Sequence, residues 1–169
     1  ACIPVKSQYA RLVNDLLRWH GEHPQDWRKV WQLVQDKWDK DDTCASEGAC
    51  APFNIDASLN GAYIAFSLLF GDGDFEKTME ISTRCGQDAD CNPSSAAGIL
   101  GALIGYERIP AYWKQGLAEA ESINFKYTSM SLNNVYDISM KHALENIMQK
   151  GGHVKDDIVI IRLEKPVPV

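Results

Sequence analysis

GQDADCNPSSAAGILGALIG, residues 86–105, decides how the rest of the chain is read. Asp88 and Asp90 stand one residue apart, ahead of Cys91, Asn92 and Pro93. A run of small and apolar residues follows, spaced by Gly98, Gly101 and Gly105. Residues i and i+2 of an extended or turning segment project to one side, so the two carboxylates can share a small volume. Carboxylates that close repel each other unless a cation, an arginine or a shared proton lies between them. Asn92 fits a helix N-cap and Pro93 a first helical position, which predicts a helix over 93–105 whose positive end favours the nearby negative charge. Hard carboxylate oxygens suit Mg²⁺, Mn²⁺ or Ca²⁺. The small residues predict close approach of another helix or of a ligand. Asp-x-Asp is a short and common pattern, and on the pair alone a solvated loop beside a helix N-terminus is the stronger reading.

Cys91 raises a rival chemistry, because a helix N-terminus can activate a thiol. The adjacent aspartates oppose a thiolate, and no histidine stands near in sequence. A cysteine nucleophile is therefore the weaker reading.

Outward from this stretch the chain reads as helices. Val5 to His20 carries Val5, Tyr9, Leu12, Val13, Leu16 and Leu17 at three-and-four spacing, with Gly21 as its stop. Pro24 suits the first turn of a second helix, on which Trp27, Val30, Trp31, Val34 and Trp38 form an apolar stripe. At helical spacing such a stripe is core rather than a ligand platform. Residues 39–53 form a polar loop; its alternating acids fail as a calcium-binding loop because Cys44 stands where a glycine is needed. Asn54 to Phe70 is apolar nearly all round and so predicts a buried helix, ended by Gly71. Asp74 caps the next, which runs to about Cys85, so GDGD at 71–74 is a stop and a start. Pro110 opens a short helix with Tyr112 and Trp113, and Ser131 to Lys150 a last long one closed by Gly151 and Gly152. DIVIIRLEK, 157–165, reads as a strand, and no second convincing strand stands near to pair with it.

The chain has 169 residues, 45% of them hydrophobic and 24% charged, which suits one soluble domain with a real core. Its net charge of −6 argues against a general nucleic-acid grip. No apolar run is long enough to span a membrane. The first residue is Ala1 rather than methionine, consistent with processing or with a piece of a longer protein. The five cysteines, Cys2, Cys44, Cys50, Cys85 and Cys91, leave at least one unpaired, and they read as free thiols of a reducing compartment, with Cys44 and Cys50 open as a pair. A cytoplasmic or an exported location stays open. No zinc-type spacing of Cys and His is present.

The segment 54–113, NIDASLNGAYIAFSLLFGDGDFEKTMEISTRCGQDADCNPSSAAGILGALIGYERIPAYW, resembles the ADP-ribosylglycohydrolase family. The family's late motif is a glycine, Asp-x-Asp followed by Thr or Ser, a helix of small residues, then Ile-Pro before an aromatic. GQDADCN, AAGILGALIG and IPAYW keep that order and spacing. The resemblance implies an all-α orthogonal helical bundle over residues 1–152 with a short C-terminal β-strand in a tail, 153–169. It implies a centre of two Mg²⁺ ions, with Mn²⁺ as the alternative, and gives Asp88 and Asp90 the roles of metal ligands and catalytic residues. Cys91 stands at the position of a hydroxyl ligand, and a neutral thiol is a poor ligand for Mg²⁺. Gly86, Asn92, Asn54 and Asp56 become candidate contacts to the sugar. The implied activity is metal-dependent hydrolysis of a ribosyl glycosidic bond in an ADP-ribosylated substrate or an ADP-ribose-like ligand. The alternative is an inactive relative or fragment that binds a nucleotide-sugar or serves a structural role.

The family also carries an early Thr-Asp-Asp motif far upstream of the late one. KDDT at 40–43 lies too close to Asp88, and in the wrong context, to be its counterpart. The resemblance thus implies the C-terminal half of such an enzyme. A separate chain or cleaved segment would supply the other metal ligands, a catalytic acid and a partner for the strand.

Overall fold

The computed structural model of the chain describes residues 3–39 and 56–163. Two compact units meet in sequence at Pro110 and Ala111. The first holds α1 (Gln8–Glu22), α2 (Trp27–Trp38), α3 (Ala57–Gly71), α4 (Phe75–Arg84) and α5 (Cys91–Ile104), with a 3-10 turn at Tyr106–Arg108. The second holds a 3-10 turn at Ala111–Lys114, α6 (Leu117–Ala120), α7 (Leu132–Gln149), β1 (His153–Lys155) and β2 (Ile158–Ile160). The fold is all-α, as expected, with one small two-stranded sheet besides.

Side-chain caps decide where the helices of the first unit begin. Ser7 Oγ accepts from the Ala10 amide, so α1 starts at Gln8 rather than Val5. Gly21 does not stop it; the helix runs one residue further before His23 caps it. Asp26 caps α2 through the Lys29 amide, which leaves Pro24 in the connecting turn instead of the first helical turn. Asp56 and Asp74 cap α3 and α4 in the same way.

α3 is the central element and packs against α1, α4 and α5. Its Leu59, Tyr63, Phe66 and Phe70 are buried with Leu12 and Leu16 of α1, Val30 and Val34 of α2, and Ile81 of α4. The tryptophan stripe is core: Trp38 is buried, while Trp27 and Trp31 pack partly buried against the same cluster. Gly71 belongs to the last turn of α3. A Cβ there would lie 1.9 Å from Thr78 Oγ1, so glycine is what lets α4 approach so closely. The left-handed cap that ends the helix is Asp72, at φ 51°. Polar contacts pin the periphery. Asp15 on α1 accepts from Lys37 and from Trp38 Nε1 on α2, and Trp31 Nε1 donates to the Cys85 carbonyl at 2.9 Å.

In the second unit the expectation of a strand without a local partner is overturned. β2 pairs antiparallel with β1, with Val154 opposite Val159. The turn between them is Asp156–Asp157, both left-handed at φ 51° and 62°, a conformation that joins tight hairpins and that aspartate tolerates. His-Val-Lys is too short for its alternation to be read. The helix expected after Pro110 is a single 3-10 turn. Of the described residues in this unit only Ser131 is buried. α7 runs as expected, started by a capping box of Ser131 with Asn134.

Leu16 is fully buried, so Leu16→Ala should cost about 2–5 kcal/mol in urea unfolding. Leu103→Ala, at a side chain 75% exposed, should stay within about 0.5 kcal/mol.

Candidate metal-binding loop at the N-terminus of α5

The loop between α4 and α5 lies wholly within the first unit. Gly86 turns the chain at φ 86°, and Gln87 follows at φ 53°, left-handed although it is not glycine. Two successive left-handed residues swing the backbone back toward α3. There Asn60, only 6% exposed, receives it. Asn60 Nδ2 donates to the Asp56 carbonyl at 2.9 Å and to Gln87 Oε1 at 3.0 Å. Asn60 Oδ1 accepts from the Asp88 amide at 3.2 Å and from Asn92 Nδ2 at 2.6 Å. Both ends of one neutral amide are thereby satisfied, and no charge is buried to do it. One side chain of α3 thus holds the loop before the carboxylates and the helix after them.

The helix begins earlier than the sequence suggests. Asp90, not Asn92, is the N-cap, and Pro93 is the third helical residue rather than the first. Pro93 still costs no hydrogen bond, because the first four helical amides lack an intrahelical acceptor. Asn92 is buried, and its side chain is committed to Asn60, so it steadies the loop from beneath. Asp90 Oδ1 and Asp88 Oδ1 both accept from the Cys91 amide, at 3.0 and 3.3 Å. The acids therefore turn inward over one backbone N–H at the positive end of α5.

The result is a three-residue group. Ligand atoms of Asp88, Asp90 and Cys91 all lie within 4.8 Å of one another. Asp88 is partly buried, whereas Asp90 and Cys91 are exposed. A side-chain hydrogen bond with Asp90, then contacts from the Cys91 thiol and amide, hold the Asp88 carboxyl below its ordinary value. Its ionised form is therefore favoured by the fold at neutral pH, an effect lost only as the pH falls through that depressed value. The Cys91 thiol moves the opposite way, pushed up by its hydrogen bond to Asp88 and by the charges of Asp88 and Asp90. A thiol shifted this way is a weaker nucleophile at neutral pH, which agrees with the weaker standing of the cysteine reading. Cys85 is likewise unreactive, with burial raising its thiol to about 12. Neither cysteine is in a disulfide.

Gly86 forms the turn into the loop. The Asp56 carboxylate caps α3 by accepting from the Leu59 amide at 2.7 Å. Asn54, Cys2, Cys44, Cys50 and the KDDT stretch lie outside the described residues. A Cβ added at Gly98 would meet nothing within 4 Å among the described residues, while one at Gly101 would face Ile109. The neighbour at Gly101 is thus the isoleucine of the Ile-Pro pair, which lies in no helix, rather than the other helix or the ligand that the small residues predict. Gln87 lies inside the GQDADCN stretch, where the motif gives it no role, and Asn60 belongs to no motif that the sequence displays. An asparagine inside an otherwise apolar helix is the available signal for Asn60. Among the described residues no helix is long and apolar enough to cross a membrane.

Asn60→Ala should leave the Asp88 amide and the buried Asn92 side chain without their acceptor. Unfolding should become easier by about 1–3 kcal/mol, and amide exchange at Asp88 should accelerate. A second outcome follows from the raised Cys91 thiol. Alkylation at pH 7–8, followed at the Cys91 peptide by mass spectrometry, should be faster in Asp88→Asn than in the parent, because removing the charge lowers the thiol pKa.

Comparison with curated proteins gives no match, and comparison with solved structures gives none. The family model described as ADP-ribosylglycohydrolase matches residues 2–143, most of the chain. With that match added to the helical fold and the Asp-x-Asp loop, the chain belongs to the ADP-ribosylglycohydrolase family.

Proposed function

We propose that this chain takes part in metal-dependent hydrolysis of the glycosidic bond between an ADP-ribosyl group and its acceptor. The observation that carries the reading is the paired carboxylate group of Asp88 and Asp90 on a loop clamped by Asn60, in a chain of this family. Family membership supports a glycosidic hydrolase, and the family's metal dependence agrees with oxygen donors gathered at one point.

In this reading Asp88 and Asp90 hold the metal. A divalent cation bound there would supply Lewis-acid stabilisation of developing charge and an orienting centre for the ribose hydroxyls and attacking water. The chain's own part is to keep both acids in position. The Cys91 amide and the positive end of α5 stabilise their negative charge, and Asn60 fixes the backbone on either side. Two carboxylates and one thiol are too few ligands for a centre of two Mg²⁺ ions, which prefer six oxygens each. A second segment, as a separate chain or a cleaved piece, completes the site in this proposal and contributes the acid that protonates the leaving group.

The thiol at Cys91 also motivates a second reading, an inactive relative that binds a nucleotide-sugar or is structural. Turnover separates the two. An ADP-ribosylated acceptor assayed with metal should be hydrolysed by the complete protein. Asp88→Asn and Asp90→Asn should each reduce that rate by at least about a hundredfold while far-UV circular dichroism stays unchanged. Equal rates in both variants would remove the metal role from these acids.

A further inference from the structure

The donor set of the loop is not that of a magnesium site. Mg²⁺ demands near-octahedral oxygen coordination at about 2.0–2.1 Å and gains little from sulfur. Here a thiol stands with two carboxylates, their ligand atoms within 4.8 Å of one another. The carboxylates fit Mg²⁺, and the thiol does not. Sulfur with oxygen donors suits a borderline first-row ion such as Co²⁺ or Zn²⁺, held at about 2.3 Å from sulfur and about 2.0–2.2 Å from carboxylate oxygen. Such lengths put the donors of one ion closer together than their present limit of separation, so modest side-chain rotations gather them. Cys91 and Asp90 are exposed and Asp88 is partly buried, so the three donors stand open to an ion arriving from solvent.

We infer that this loop selects a thiophilic divalent cation over Mg²⁺, with the Cys91 sulfur as a direct ligand beside Asp88 and Asp90. The inference rests on the reading of Asp88 and Asp90 as metal ligands and adds the class of ion that a sulfur at the third ligand position favours. Binding converts the thiol to a metal-bound thiolate and releases its proton to the solvent; no electron is transferred. A further consequence is chemical protection, since a coordinated sulfur is a poorer target for alkylation than a free one.

Co²⁺ is the probe, because a sulfur ligand gives a cobalt charge-transfer band in the near ultraviolet that oxygen ligands do not. The intact chain would be titrated with Co²⁺ and, separately, with Mg²⁺ by calorimetry, alongside Cys91→Ser, Cys91→Ala and Asp88→Asn. The expected result is a charge-transfer band in the parent that vanishes in both Cys91 variants. Co²⁺ affinity should drop at least about tenfold in Cys91→Ser, the lower end of what even an outer-shell partner of a metal costs. Mg²⁺ affinity should be no weaker in Cys91→Ser than in the parent. A band that persists without Cys91 would place cobalt on another cysteine and overturn the inference. Co²⁺ bound equally by parent and Cys91→Ser, but lost in Asp88→Asn, would overturn thiol ligation and leave the carboxylate site standing. Binding of both ions that Asp88→Asn leaves unchanged would end the metal reading of the loop and the inference with it, whereas binding of neither would overturn the inference, which requires that the loop's own three donors hold the cobalt.

Discussion

The four hydrogen bonds of Asn60 hold the core and the candidate site together. α3 is the helix around which the first unit packs, and Asn60 is the place where that core meets the chemistry. Its amide reaches the loop at Gln87 and Asp88 and the next helix at Asn92. A charged residue in this position would have to be desolvated, and an apolar one would leave a buried donor in Asn92 without an acceptor. An asparagine whose donors and acceptor are all engaged avoids both costs. The carboxylates can then sit at the surface, available to a ligand, while the backbone that carries them is tied to the interior.

The same division of labour recurs around the loop. Packing fixes its two ends. Trp31 holds the Cys85 carbonyl at the end of α4, and Ala96 and Leu100 bury one face of α5. Electrostatics arranges what lies between. The Cys91 amide draws in both acids, and the acids in turn decide the state of the Cys91 thiol. The thiol is thus a follower of the carboxylates rather than an independent reactive group. Whatever neutralises the carboxylates, a substitution or the cation proposed above, would change what the sulfur can do.

Much of this is legible in the residues, and the parts that are not share a cause. The five helices of the first unit, the long α7 and the core stripe on α2 follow from periodicity, because residues such as Trp27, Val30, Trp31, Val34 and Trp38 repeat at the helical spacing whatever they touch. The four-residue α6 is too short to carry such a repeat. Helix starts are hard to place where two capping signals compete within a few residues. At α2 Asp26 wins over Pro24, and at α5 Asp90 wins over Asn92, because whether an oxygen can reach an amide is decided by local backbone angles. The Asp-x-Asp pair is plain in the sequence, and its neighbour Cys91 with it. Asn60 is not, since its importance lies in contacts 27 to 32 residues away along the chain. The partner of β2 is hidden because three residues carry too short an alternation to be recognised.

Everything proposed for the loop requires that a cation enter at Asp88 and Asp90. The most direct measurement is the amide spectrum of the ¹⁵N-labelled chain during titration with substoichiometric Mn²⁺, whose unpaired electrons broaden nearby resonances. Broadening should begin at residues 86–92 and at the Asn60 side-chain amide, and Mg²⁺ or Co²⁺ in excess should reverse it. Broadening centred elsewhere, or spread evenly over the acidic surface, would contradict a metal site in this loop.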